Sequence, residues 1–126
     1  MNPLLACKDE GGSAAVEFGM TAPAFFMLVA GIIGCSLLLW TQLGLQHGTE
    51  MAARCASVNT AICGSVSAIQ SYAAQQAFGL NPPASTFTVT TAACGNRVSA
   101  SYTLSFFTTY FGRPSLVLTA GSCFPS

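Results

Sequence analysis

One uncharged apolar run, from Phe18 to Trp40, constrains this chain more than any other feature. Its 23 residues exceed the ~20 that an α-helix needs to cross about 30 Å of hydrocarbon. A cleaved secretory signal instead has an apolar region of roughly 7 to 15 residues, followed by small residues at the cleavage site. Here Thr41 and Gln42 follow Trp40, whose side chain suits the boundary between lipid and water. The run therefore predicts a retained transmembrane helix.

The predicted helix has two further features. Pro23 lacks a backbone donor, so it is predicted to kink the early turns of the helix. Beyond Trp40 a helical pattern continues over residues 41–58, where Glu50 and Arg54 stand at the favourable i,i+4 spacing. Gly44 and Gly48 are expected to soften this stretch without ending it.

Composition agrees with a membrane-inserted or densely self-associating chain. Hydrophobic residues make up 52% of the 126 residues and charged residues 6%, whereas about a quarter of a typical soluble domain is charged. Four basic and four acidic residues give a formal net charge of zero, so no basic surface is offered to phosphates, and we expect no nucleic-acid partner. The length suffices for one small domain.

Four of the six cysteines follow the apolar run. They lack CxxC or paired-histidine spacing, so two disulfides are favoured over a metal site, and an oxidising compartment is implied. Four cysteines permit three pairings. Because Cys55 and Cys63 flank a predicted helix break, we favour their pairing, which leaves Cys94 to pair with Cys123. Cys35, inside the run, is expected to be a plain apolar residue.

After the long helix, the pattern predicts a second, shorter one. Asn59, Thr60 and Gly64 interrupt the helical pattern, and apolar residues then recur at helical spacing over residues 65–78. Gly79 is a natural stop, and the Asn81-Pro82-Pro83 sequence breaks the helical regime.

The remaining residues predict three antiparallel strands. Residues 86–91 and 97–111 alternate apolar and polar side chains, the period-2 pattern of half-buried strands, with a turn over residues 92–96. Residues 115–124 form a third candidate after the turn at 112–114. The expected fold class is therefore α+β: a long transmembrane helix, a short helix and a small disulfide-bonded sheet of about three strands.

No catalytic constellation is visible in the sequence. His47 is the one histidine, and it is expected to be a solvated helix residue with no nucleophile and acid arranged around it. Glycine-rich phosphate loops, paired carboxylates and metal-ligand spacings do not occur either. We expect neither enzymatic activity nor a cofactor.

The segment at the start of the apolar run carries the most specific motif. Residues 11–18 read Gly-Gly-Ser-Ala-Ala-Val-Glu-Phe, which resembles the class III signal of type IV prepilins. The resemblance implies that prepilin peptidase cuts between Gly12 and Ser13 on the cytoplasmic side, and that Glu17 becomes the fifth residue of the mature chain, followed by Phe18. Physically, glycine lets an extended backbone enter a tight protease cleft.

Glu17 needs a compensating charge if it enters hydrocarbon. A carboxylate costs roughly 2.5 to 3.5 kcal/mol at the centre of a membrane helix and less near its ends. The prepilin resemblance implies that Glu17 pairs with the freed amine of Ser13 on a neighbouring subunit. The alternative is a glutamate that lies in the headgroup layer without an assembly role.

Longer segments are similar to the TadE-like family of pseudopilins. AAVEFGMTAPAFFMLVAGII (residues 14–33) resembles its signature, in which a glutamate-phenylalanine pair precedes a proline and an aliphatic run. MAARCASV (residues 51–58) resembles its Ala-Ala-Arg segment, and residues 94–106 and 118–125 resemble its strand-forming tail. Together these segments cover most of the chain.

The resemblance implies a minor pseudopilin of a tight-adherence (Flp-type) type IV pilus. It divides the chain into a cleaved leader (1–12), a transmembrane and extended helix (13–58) and a periplasmic α+β domain (59–126). The expected location is the bacterial inner membrane, with a cytoplasmic N-terminus, and then the fibre. Expected partners are prepilin peptidase, other pilins or pseudopilins, the inner-membrane assembly platform and the lipid bilayer. The alternative is a single-pass anchored binding or signalling protein.

Overall fold

The computed structural model of the protein describes residues 11–104 and 115–125. Along the chain it has helix α1 (Gly11–Val58), helix α2 (Val66–Gln75), a 3₁₀ turn (Ala84–Thr86) and strands β1 (Phe87–Ala92), β2 (Gly95–Leu104) and β3 (Leu116–Phe124). The predicted α+β fold class is confirmed. The chain divides into two compact units, Met1–Leu37 and Leu38–Ser126, and each is described by itself.

In the N-terminal unit, the described residues form the first part of α1 and nothing else. Nearly all of their large apolar side chains are exposed. The helix is long and apolar enough to cross a membrane, as the apolar run predicted. α1 continues through Pro23, and the predicted kink there stays a prediction.

The core of the C-terminal unit lies between the helices and one face of the sheet. Burying a large apolar side chain contributes about 1.5 to 3 kcal/mol, and Phe87, Leu45 and Val98 are the largest apolar side chains that are fully buried. Alanines make up most of the rest, which lets the helices approach closely. The core also contains Ala52, Ala53, Ile69, Ala73, Ala77, Ala100, Leu118 and Ala120.

Helix α2 begins as the sequence pattern predicts but ends earlier. The Ser65 side chain caps its N-terminus by accepting a hydrogen bond from the Ala68 amide (3.3 Å). The predicted end at residue 78 is wrong, because the helix stops at Gln75. Phe78 (φ 44°) and Gly79 (φ 75°) both have left-handed backbone, which a right-handed helix cannot contain.

The sheet is a three-stranded antiparallel meander with the order β1-β2-β3. Ala92 pairs with Gly95, so Ala93 and Cys94 form a tight two-residue turn, and Gly95 has a positive φ of 114° that glycine adopts readily. β1 and β3 lie within one residue of their predicted bounds. β2 was predicted to reach residue 111; the strand is seen as far as Leu104, and residues 105–114 lie outside the described part of the chain.

Two disulfides crosslink the C-terminal unit. Cys55 near the end of α1 is bonded to Cys63 in the following turn, with 5.8 Å between their Cα atoms. Cys94 in the β1-β2 turn is bonded to Cys123 near the end of β3, with a Cα separation of 6.2 Å. This is the pairing that the sequence analysis favoured among the three.

Side-chain amides fix the helices to the sheet by hydrogen bonds to main-chain carbonyls. Gln42 of α1 donates to the carbonyl of Thr119 in β3 (2.9 Å). Gln70 of α2 donates to the carbonyl of Phe87 in β1 (2.7 Å). Because each bond joins positions far apart in sequence, the two glutamines set the packing of the helices on the sheet.

Candidate functional site: the start of the apolar helix

The predicted cleavage position, between Gly12 and Ser13, lies within α1. α1 is described from Gly11 onwards, which is also the first described residue of the chain. A Cβ atom placed on Gly12 would meet no atom within 4 Å, so this position is open to an approaching molecule. The leader residues Cys7, Lys8, Asp9 and Glu10 lie outside the described residues.

Two adjacent glycines weaken the helix at the predicted cleavage position. Gly11 and Gly12 both lie within α1, and glycine is about 1 kcal/mol less favourable in a helix than alanine. The backbone beside Ser13 can therefore leave the helical conformation at low cost.

Glu17 stands one turn after Ser13 and has an exposed side chain. Helical residues four apart have Cβ atoms about 5 to 6 Å from each other on one face. Ser13 and Glu17 therefore share a face of α1. Phe18, with an exposed ring, is next in sequence and points away from that face.

Hydroxyl groups in the apolar part of α1 are satisfied within the helix. The Thr21 hydroxyl donates to the main-chain carbonyl of Glu17 (2.9 Å), and the Ser36 hydroxyl donates to the carbonyl of Ile32 (2.8 Å). Hydroxyls paired in this way carry a much smaller penalty in hydrocarbon. Cys35 is a free, exposed thiol in the same stretch.

Sequence reasoning missed two close contacts made by glycines farther along α1. A Cβ on Gly48 would lie 2.8 Å from the Ala73 carbonyl oxygen, and one on Gly44 would lie 2.7 Å from the Leu80 side chain. Both distances are shorter than real Cβ contacts. These glycines are thus contact points for α2 and the loop after it, and not merely soft positions in the helix.

His47 is not the solvated residue that the sequence predicted. Its Nδ1 donates to the carbonyl of Gln76 (3.1 Å), and its ring stacks on Phe78 with 4.3 Å between the centroids. The Phe78 ring also lies 6.3 Å from that of Trp40. Trp40, His47 and Phe78 thus form one cluster. The spacing of Trp40 and His47, two turns apart on one face of α1, could have predicted that these two lie on the same side. Nothing in the sequence indicated that Phe78 joins them.

The fold and the site define a class of protein: in its described residues, a chain with one exposed apolar helix near the N-terminus and a small disulfide-bonded α+β unit after it in sequence. Residues 12–54 match the family model described as TadE-like protein. The TadE-like resemblance is thereby confirmed for this third of the chain, and it indicates a protein associated with the tight-adherence pilus. The match begins at Gly12 and includes Glu17 and Pro23. No match was found among curated proteins or solved structures.

Proposed function

We propose that this chain is a minor pseudopilin, processed by prepilin peptidase, that supports assembly or initiation of a tight-adherence type IV pilus. The observation that carries the proposal is the spacing of Gly12 and Glu17 at the start of an exposed apolar helix, inside the segment that matches the TadE-like family. In this proposal the chain is a substrate of the peptidase and then a structural subunit of the pilus, and it is not itself an enzyme.

Cleavage after Gly12 changes the electrostatics of the helix end. It creates a cationic amine on Ser13, four residues before the Glu17 carboxylate and on the same face. A positive charge there offsets the cost of placing Glu17 at the edge of hydrocarbon. The same carboxylate can pair with the Ser13 amine of an adjacent subunit when helices associate side by side. Before cleavage the unpaired Glu17 carboxylate opposes deeper insertion of the helix and its packing against other helices. After cleavage the Ser13 amine compensates that charge, so both become more favourable.

The disulfides support the proposed orientation. Cys55–Cys63 and Cys94–Cys123 both lie after the apolar helix, and disulfides persist in the periplasm but not in the cytosol. In the proposed topology the N-terminus faces the cytoplasm, where the peptidase acts, and the C-terminal unit folds in the periplasm. The inner-membrane assembly platform and other pilins are then the expected partners of the helix.

Processing is tested by N-terminal sequencing and intact mass of the protein isolated from its native membrane. We expect the mature chain to begin at Ser13 and to lack the mass of residues 1–12. Gly12→Leu should keep the full-length mass, because a branched side chain obstructs the extended backbone in the cleft. Gly19→Leu is the matched control, since a Cβ there also meets no atom within 4 Å, and it should be cut normally.

The outcome separates the proposal from its alternative. If the native protein still begins at Met1 and Gly12→Leu leaves its mass unchanged, the chain is not a processed pseudopilin. A single-pass anchored binding or signalling protein would then be the better description.

A further inference from the structure

An exposed apolar cluster lies on the C-terminal unit at the end of the apolar run. It consists of Trp40, Leu43 and Phe78, which are 59%, 63% and 49% exposed. We define these three residues as the aromatic collar. We propose that the aromatic collar docks into the headgroup layer of the bilayer, so that the loop after α2 is a second point of membrane contact. The inference rests on the proposed function, which places α1 across a membrane.

Position along α1 identifies the occupant as lipid. Trp40 is the last residue of the 23-residue apolar run, so the hydrocarbon ends near it when the helix spans. Trp40 and His47 are separated by about 10 Å along the helix axis. The Phe78 ring lies between them, 6.3 Å from Trp40 and 4.3 Å from His47. Since each headgroup layer is about 5 to 7 Å thick, Phe78 falls within it.

The chemistry of the loop suits the same environment. Residues 77–83 read Ala-Phe-Gly-Leu-Asn-Pro-Pro and carry no charge, and Trp40 belongs to the residue type that is enriched at membrane interfaces. The loop also tolerates an uncommon backbone at Phe78, whose φ of 44° is unfavourable for a bulky residue. This conformation keeps the aromatic ring at the surface beside Trp40, whereas the adjacent Ala77 is fully buried.

Contacts on the inner side of the loop hold the collar in place. His47 stacks on one face of Phe78 and donates to the Gln76 carbonyl, and Gly44 gives room for Leu80 against α1. The ring is therefore fixed on one side by the protein and open on the other. Such a half-covered aromatic ring needs no rearrangement to enter the headgroup layer.

The test is lipid quenching of a tryptophan at position 78. The full chain is reconstituted in phosphatidylcholine–phosphatidylglycerol vesicles that contain lipids brominated near the headgroup end of the acyl chain. Trp40 is the one native tryptophan, so Trp40→Phe gives a silent background in which Phe78→Trp reports on the loop. Ile62→Trp in the same background is the matched control. Ile62 is also exposed, at 58%, but it follows the C-terminal end of α1 at Val58, far along the helix from Trp40.

We expect the tryptophan at position 78 to show blue-shifted emission and to lose intensity with brominated lipid, and the tryptophan at 62 to do neither. Equal, weak quenching at both positions would overturn the docking inference. A blue shift at position 78 that grows with protein density, without lipid quenching, would overturn it in favour of a second copy of the chain. Native Trp40 in the unmodified chain separates the two proposals. If lipid quenches native Trp40 but does not quench the tryptophan at position 78, the docking proposal alone is rejected. If lipid does not quench native Trp40, the membrane span itself is rejected.

Discussion

At the residue scale, single glycines decide how closely α1 can pack. Gly48 faces the Ala73 carbonyl and the ring of Phe87, at 2.8 and 3.5 Å from an added Cβ. The nearest neighbour, the Ala73 carbonyl oxygen, is a backbone atom, which cannot rotate away as a flexible side chain can. Gly48 is therefore a packing requirement of the C-terminal unit.

Gly48→Ala is expected to destabilise the C-terminal unit by about 1 to 3 kcal/mol, because the helices must separate to admit one methyl group. The gain of helix propensity, about 1 kcal/mol at most, does not compensate. Thermal or urea unfolding, followed by near-ultraviolet circular dichroism in detergent, measures the change.

Gly31→Ala is the matched control for this substitution. It is the same chemical change in the same helix, but a Cβ at Gly31 meets no atom within 4 Å. Its transition should coincide with that of the wild type. Equal destabilisation by the two substitutions would show that the contact with Ala73 is not the cause of the loss.

At the element scale, α2 is a short helix that depends on its cap and on burial of one face. Ten residues are too few for a stable isolated helix, and only Ile69 and Ala73 of α2 are buried. The Ser65 hydroxyl supplies one of the missing hydrogen-bond acceptors at the N-terminus. The cap therefore contributes an appreciable share of the stability of this element.

Ser65→Ala is expected to cost about 1 kcal/mol through loss of the cap. The change is measured as a shift of the urea midpoint at constant slope. Ser71→Ala is the control: Ser71 is exposed in the same helix, and its hydroxyl bonds only to the carbonyl one turn back, so alanine should be neutral or slightly stabilising. A larger effect at Ser71 than at Ser65 would contradict the role of the cap.

The helices and strands could be predicted from the sequence, because hydrophobic periodicity depends only on residues that are close together in the chain. The alternation of Val98 and Ala100 with polar residues predicted β2, and both are buried as expected. The early end of α2 was not accessible, since the left-handed backbone of Phe78 is maintained by contacts with His47, 31 positions earlier in the chain. Likewise, the sequence does not show whether another segment packs against a helical glycine. The close contacts at Gly44 and Gly48 could therefore be identified only from the structure.

At the scale of the whole molecule, the two disulfides cross-link different parts of the C-terminal unit. Cys55–Cys63 closes a short loop, with a sequence separation of 8, and Cys94–Cys123 closes a long one, with a separation of 29. On chain-entropy reasoning the long loop restricts the unfolded state more. The second disulfide should therefore contribute more to stability than the first.

Replacing Cys94 and Cys123 together by alanine is expected to lower the free energy of unfolding by about 3 to 4 kcal/mol. The Cys55 and Cys63 double replacement should cost about 2 to 3 kcal/mol, and comparison of the two unfolding curves gives the order. Peptide mapping of the unreduced wild type supplies the control. A peptide that links Cys55 to Cys123 would refute the pairing on which both estimates rest.

The Cys94–Cys123 bond also determines how the unit responds to mechanical load. β3 is an edge strand, and a strand of this kind is normally peeled away one residue at a time when its free end is pulled. Cys123 is the penultimate residue of β3, so tension applied at the C-terminus passes through the covalent bridge into the β1-β2 turn after only Phe124 has detached. A pull at the C-terminus therefore loads β1, the other edge strand of the sheet, and leaves most of the β2-β3 pairing unloaded.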